Sequence, residues 1–203
     1  MKQDSITMVA GNTELVFQKI QLIFQANNIE NIFSEKNNKT VKETLTSSKY
    51  VKIANDANEK YAEYLSHKLG TFLLLLKKQG DSFYRQFLNE HGDLKYCIFS
   101  IKKSGISKLK GLYCFCQNGQ IMYIGRSHNP YEKRINQGYG KIHPKNCFKD
   151  GQSTNCHINS LISRNWQNID FYVCPLEDGD KINNYEEILI KTIRPTWNIQ
   201  LKS

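Results

Sequence analysis

Tyr113 and Tyr123 stand ten residues apart in the segment GLYCFCQNGQIMYIGRS, residues 111–127. Arg126 follows the second tyrosine closely, and Arg134 lies in the next helix-forming stretch. Much further on, Glu186 opens an acidic and apolar segment that ends in Arg194-Pro195-Thr196-Trp197-Asn198. Phenols, guanidinium groups and one carboxylate in this order suit phosphodiester hydrolysis. That reaction needs an activated water, a counter-charge for the transition state and a stabilised leaving oxygen, and one hard divalent cation can serve the last two needs. A single carboxylate is a sufficient protein ligand, because Mg²⁺ keeps most of its waters. Arginine stays charged and grips phosphate with a planar fork. A tyrosine hydroxyl can hold the water, or activate it where nearby cations lower its pKa.

These groups need a scaffold. Asn118-Gly119 separates two strand-like runs, 112–117 and 121–125, and supplies the positive φ angles of a tight hairpin. Pro130 suits the first turn of a helix through Gln137. Residues 157–164 read as a short helix, 169–175 as a strand, and 186–193 as a helix with Ile188, Leu189 and Ile193 on one face. The predicted class is α+β: a hairpin, helices, a third strand and a C-terminal helix over residues 106–203. Residues 1–105 read as a mainly helical domain that binds DNA or docks a partner. In that half Leu15, Val16, Phe17, Ile20, Ile23 and Phe24 recur at helical spacing, as do Tyr61, Leu65, Leu69, Phe72, Leu73 and Leu76. The stretch 34–49 between them is either an exposed loop or a weak helix. Asp81 is a plausible N-cap for a helix carrying Phe83, Phe87 and Leu88. Residues 94–101 read as a strand, and residues 100–111 are the polar, basic junction.

The chain of 203 residues has a formal net charge of +9, which attracts polyanions and makes nucleic acid the natural partner. The longest apolar run, residues 72–76, is far too short to span a bilayer, so no membrane contact is predicted. No secretory signal is legible, and the reduced, cytoplasmic setting is favoured for the six cysteines. Zinc on Cys114, Cys116, Cys147 and Cys156 is the competing idea. Their spacings do not match the usual pairs of zinc ligands, so small core residues are the better reading.

Residues 108–201 resemble the GIY-YIG nuclease family. Gly111-Leu112-Tyr113 is similar to its first tripeptide, with Leu for Ile, and Tyr123-Ile124-Gly125 matches the second in full. Pro130-Tyr131-Glu132-Lys133-Arg134 looks like the helix that delivers the family's arginine. The interval from Tyr123 to Arg134 is one residue longer than usual, which makes Arg126 a rival. Lysine or arginine often follows the second tripeptide directly, so the resemblance also implies that Arg126 is a second phosphate contact. The histidine or tyrosine that follows the family's arginine falls on Tyr139, with His143 as runner-up. The closing Pro195-Thr196-Trp197-Asn198 is similar to the family's Pro-x-aromatic-Asn. Counting back twelve residues from Asn198 reaches Glu186, the implied metal ligand, whereas Glu187 faces elsewhere on the helix. Asn198 would orient or close the site.

The resemblance implies a DNA endonuclease that uses Mg²⁺ or Mn²⁺, closest in form to restriction-type and phage DNA-degrading members. The polar segment 146–157 stands where such nucleases approach DNA. Ser153, Thr154 and Asn155 are then candidate phosphate contacts and Gln152 or Asn155 a candidate reader of base edges, with Lys110, Arg126 and His143 completing the DNA-binding set. Thr154 or Asn155 capping the following helix is the plainer alternative. Each element also has a bland reading: cross-strand aromatics for Tyr113 and Tyr123, a solvated helix residue for Arg134, an N-terminal helix preference for Glu186. The ordered set argues for the enzyme. The alternatives are a structure-specific or single-strand nuclease, a nuclease toxin, and a nucleic-acid-binding protein with an inactive site. Both a homodimer and a protein partner on the N-terminal half are compatible with the sequence.

Overall fold

The computed structural model describes residues 4–199. In chain order the principal elements are β1 (Ser5–Ala10), β2 (Thr13–Ile20), β3 (Leu22–Ile29), α1 (Val41–Leu45), α2 (Val51–Lys60), α3 (Leu69–Lys78), β4 (Tyr96–Ile101), β5 (Gly111–Gln117), β6 (Gln120–Ser127), α4 (Tyr131–Lys133), a π-helix (Arg134–Tyr139), α5 (Ser153–Asn165), β7 (Ile169–Pro175) and α6 (Gly179–Ile193). The fold is mixed α+β. Among the described residues no helix is long and apolar enough to cross a membrane.

The chain divides into two compact units. One comprises Met1–Ala26, Cys97–Lys141 and Leu161–Ser203, the other Asn27–Tyr96 and Ile142–Ser160. The predicted cut at residue 105 is therefore corrected, because each unit is assembled from separate stretches of chain.

The first unit is built on a five-stranded sheet in the order β1-β2-β7-β5-β6, antiparallel at every pairing. The helical reading of the N-terminus is corrected here. Residues 15–20 lie in β2 and residues 22–24 in β3, and β1 and β2 form a hairpin closed by Gly11 and Asn12, with Gly11 at φ +62°. The burial of β2 alternates: Leu15 and Phe17 point into the core, while Val16 is 51% exposed. An outward-facing valine between two inward apolar residues disguised a period of two as a helical stripe. Strands β3 and β4 form a separate two-stranded sheet.

Alternation gives the large sheet two working faces. Leu112, Cys114, Cys116, Ile124, Tyr172 and Cys174 form one core with Ile182, Leu189 and Ile190 of α6. The opposite face carries Tyr113, Phe115, Tyr123 and Phe171, which pack among themselves at ring-centroid separations of 4.9–6.4 Å, and Tyr139 lies 6.0–6.2 Å from the first three. Burying each such aromatic contributes about 1.5–3 kcal/mol. The turn joining β5 to β6 has both Asn118 and Gly119 at positive φ, as the Asn-Gly signal predicts.

The second unit packs Phe33, Val41, Tyr50, Leu69, Phe72, Leu73, Leu76 and Phe87 into one core with Cys147, Phe148 and Cys156. Its helices are short. Thr40 and Glu43 form a capping box that starts α1, inside the stretch where the sequence left loop and helix open. The single helical stripe predicted from Tyr61 to Leu76 is interrupted: α2 ends at Lys60, and α3 resumes only at Leu69. Asp81 does cap the following turn, accepting the Phe83 N–H at 2.8 Å. All six cysteines are buried. Cys114 and Cys116 belong to the core under α6, and Cys147 and Cys156 to the core of the second unit.

Candidate active site

Three phenols and one guanidinium meet on the aromatic face of the sheet. Tyr113 lies opposite Gly125, and Phe115 opposite Tyr123, so the two tyrosines share a face diagonally. A Cβ on Gly125 would come within 2.6 Å of the Tyr113 ring and hydroxyl, so the glycine makes room for the ring. On the other side of the hairpin start, the Tyr131 hydroxyl donates to the Cys174 carbonyl at 2.8 Å and lies across Gly111.

The π-helix explains the position of Tyr139. In an α-helix the residue four after Arg134 would share its face, and that residue is Gly138. Over Arg134–Tyr139 the backbone widens to an i→i+5 pattern, with the Gly140 N–H donating to the Ile135 carbonyl at 2.6 Å. Tyr139, five residues on, therefore stacks above Arg134, whose guanidinium carbon lies 4.3 Å from the ring centre. A side chain on Gly138 would press on Arg134 Nη1 at 3.0 Å. Such single π turns recur at functional sites.

The hydroxyl of Tyr139 is the hub. It lies 3.1 Å from the Tyr113 hydroxyl and 3.0 Å from that of Tyr123, and it accepts Arg134 Nη2–H at 2.6 Å. Arg134 Nε–H also donates to the Tyr113 hydroxyl at 3.3 Å. Burial pushes all three hydroxyls well above the ordinary tyrosine range, and Arg134 pulls against that without reversing it. That direction disfavours their charged forms, so activation of a water by a lowered tyrosine pKa has no support in this geometry.

Glu186 and Arg126 meet on the α6 side. Alternation turns Arg126 away from the tyrosine face, and its Nη1 contacts Glu186 Oε2 at 2.8 Å. Burial raises the Glu186 carboxyl above its ordinary value, against the pull of Arg126. Because β6 is the edge strand, Glu186 remains within electrostatic reach of Arg134 and Tyr123. Glu187 is exposed and pairs with Lys191 at 2.6 Å, as a helix neighbour facing elsewhere should. Arg194 ends α6 in the left-handed conformation, φ 52° and ψ 58°. The chain then returns along β6: the Trp197 N–H reaches the Met122 carbonyl, and the Asn198 amide brackets Ile124, accepting from its N–H at 3.0 Å and donating to its carbonyl at 2.8 Å. Asn198 thus pins the backbone that carries Tyr123 and Gly125.

Lys110 is half-buried, and its carbonyl accepts the Leu176 N–H. The other DNA-contact candidates belong to the second unit. His143 is exposed, with its backbone N–H held by the Asn146 side chain. Gln152 is exposed and Ser153, half-buried, begins α5. Asn155 is only 4% exposed and donates to Gln152 Oε1 at 2.6 Å, so its role as a reader of base edges is corrected: burial leaves it no reach. The sequence reading missed His128, whose Nε2 lies 3.0 Å from Asn183 Oδ1 and which bears electrostatically on Glu186. Its place two residues after Arg126 was the available signal. It also missed that Gly138 accommodates Arg134.

Among the described residues no group of three or more His, Cys, Asp and Glu side chains is arranged to hold a metal ion. A hexahydrated-type Mg²⁺ or Mn²⁺ asks for less. One hard, partly desolvated carboxylate would fit it, and Glu186, with 13% of its side chain exposed, is a candidate of that kind. Comparison of the chain with protein-family models, with curated proteins and with solved structures finds no match.

Proposed function

We propose that this protein is a GIY-YIG-like endonuclease that hydrolyses DNA phosphodiesters with one Mg²⁺ or Mn²⁺. The observation that carries the reading is the convergence of Tyr113, Tyr123 and Tyr139 on Arg134, with Glu186 in electrostatic reach of the same arginine. Glu186 would hold the metal, which when bound supplies Lewis-acid stabilisation of the leaving oxygen. Arg134 is fixed by two phenol oxygens and faces developing phosphate charge without reorganising. Tyr113 and Tyr123 position the attacking water through hydrogen bonds, and Tyr139 holds both in register. Asn198 acts at one remove, fixing the β6 backbone. DNA is the proposed partner, with Lys110 and Arg126 of the first unit as its candidate contacts; restriction-type, structure-specific and single-strand cutting all remain open to it.

Nicking of supercoiled plasmid with Mg²⁺, Mn²⁺ or EDTA, for wild type and Glu186→Ala, tests the proposal. Metal-dependent cutting that disappears in the variant is the expected result. Cutting by Glu186→Ala at the wild-type rate removes Glu186 from the site. A wild type inert on plasmid and on single strands would turn the reading towards nucleic-acid binding without cutting, or towards the docking of a protein partner.

A further inference from the structure

Two cations have a claim on one carboxylate. Arg126 Nη1 lies 2.8 Å from Glu186 Oε2, and the two side chains differ sharply in freedom: 44% of Arg126 is exposed, against 13% of Glu186. Glu186 is fixed on a fifteen-residue helix whose Leu189 and Ile190 are buried in the core. Arg126 sits on the edge strand, its charged head borne on a long, flexible stem and its side chain 44% exposed. The Arg126 backbone N–H also hydrogen-bonds the Glu186 carboxylate, and the other charged groups that bear on it are His128 and Arg134, both of the same sign as Arg126 when protonated. A carboxylate paired with arginine offers a divalent ion little net charge. Arg126 has an exchange partner in a phosphodiester, an anion it can grip with the same planar fork.

We infer that Arg126 is a positioning residue that couples metal binding to nucleic-acid binding. It holds Glu186 until a DNA phosphate takes over its guanidinium, and only then is the full carboxylate charge presented to the divalent ion. The inference rests on Glu186 being the metal ligand. No bond is made or broken in the exchange; one ion pair replaces another. Linkage requires the converse, that the metal tightens DNA by the same factor.

The test is Mn²⁺ binding, followed by the electron paramagnetic resonance of free Mn²⁺. The full chain is measured alone and with a short phosphorothioate DNA duplex that resists cutting. For wild type the duplex tightens Mn²⁺ binding by about tenfold or more, within the usual range of coupling between sites. Arg126→Gln binds Mn²⁺ about tenfold more tightly than wild type without DNA, and the duplex adds little, about twofold. Arg126→Met, which keeps an apolar stem, repeats the measurement, and melting temperatures establish that both variants are folded. A general charge effect would raise the affinity of both variants equally with and without duplex. An enhancement of wild-type size in the variants therefore overturns the inference, as does unchanged Mn²⁺ affinity in the DNA-free variants. Glu186→Gln separates this failure from that of the underlying reading: lost Mn²⁺ binding keeps Glu186 as the ligand, and wild-type binding removes it whatever Arg126 does.

Discussion

Gly125 offers the sharpest test of how the candidate site is built. A Cβ placed there meets Tyr113 Cζ and Oη at 2.6 Å and Cε2 at 2.8 Å, so the ring must retreat by about 0.8 Å to reach ordinary contact. It has nowhere easy to go. Tyr113 is 1% exposed and packs against Phe115, Phe171 and Tyr139, and its hydroxyl is tied to Tyr139 and Arg134. Overpacking of this kind costs about 1–3 kcal/mol, which in a chain of this size lowers the melting temperature by roughly 2–12 °C. Displacing a positioned group by nearly 1 Å also costs up to about a hundredfold in rate. Gly125→Ala should therefore melt several degrees early and nick plasmid roughly ten- to a hundredfold more slowly. Gly105→Ala is the control. Nothing lies within 4 Å of its Cβ, and its backbone is already right-handed helical at φ −56°. That change should be neutral or stabilise by about 0.4–1 kcal/mol. A Gly125→Ala protein that melts within a degree of wild type and cuts within twofold of it would refute the claim that this glycine holds the Tyr113 ring in place.

Two further outcomes follow from the same geometry. Tyr139→Phe keeps the buried ring but removes the oxygen that accepts Arg134 Nη2–H and bridges Tyr113 to Tyr123. It should lower unfolding free energy in urea by about 1–3 kcal/mol, the cost of orphaned buried donors, and it should slow cutting; an unchanged urea midpoint contradicts the hub. Glu186 is the second case. Its folded carboxyl titrates above the ordinary value of 4.5, chiefly through burial, so the native state binds more protons than the unfolded chain in that window. Stability from this group is present below pH 4.5 and is lost as pH rises through the folded value. Glu186→Gln should then melt higher than wild type at pH 7, with the gap closing as pH falls below 4.5. A gap that widens on acidification reverses the sign of the argument.

Local chemistry made much of the C-terminal half legible. Asn118-Gly119 dictates a tight turn because both residues tolerate positive φ, and β5 and β7 were legible as short, largely apolar runs that are buried almost throughout. The order Tyr113, Tyr123, Arg134, Glu186, Asn198 was likewise readable, since these residue types carry their chemistry wherever the fold puts them. The N-terminal strands were not readable. Val9 and Val16, 53% and 51% exposed, and Ile23, 43% exposed, lie on outward faces, and apolar residues on both faces of a strand erase the period of two. Nor does local sequence disclose that β2 pairs with β7 about 150 residues away.

The sequence by itself determined which groups are available to react and which turns must form, because donors, charges and φ preferences belong to single residues. The tertiary structure alone decided which of those groups meet. A π-helical turn, not spacing, sets Tyr139 above Arg134. Strand alternation sends Arg126 to Glu186 instead of to the tyrosines, and helix burial encloses Asn155. The meeting of Arg126 with Glu186 joins segments sixty residues apart, which no residue's own propensity encodes.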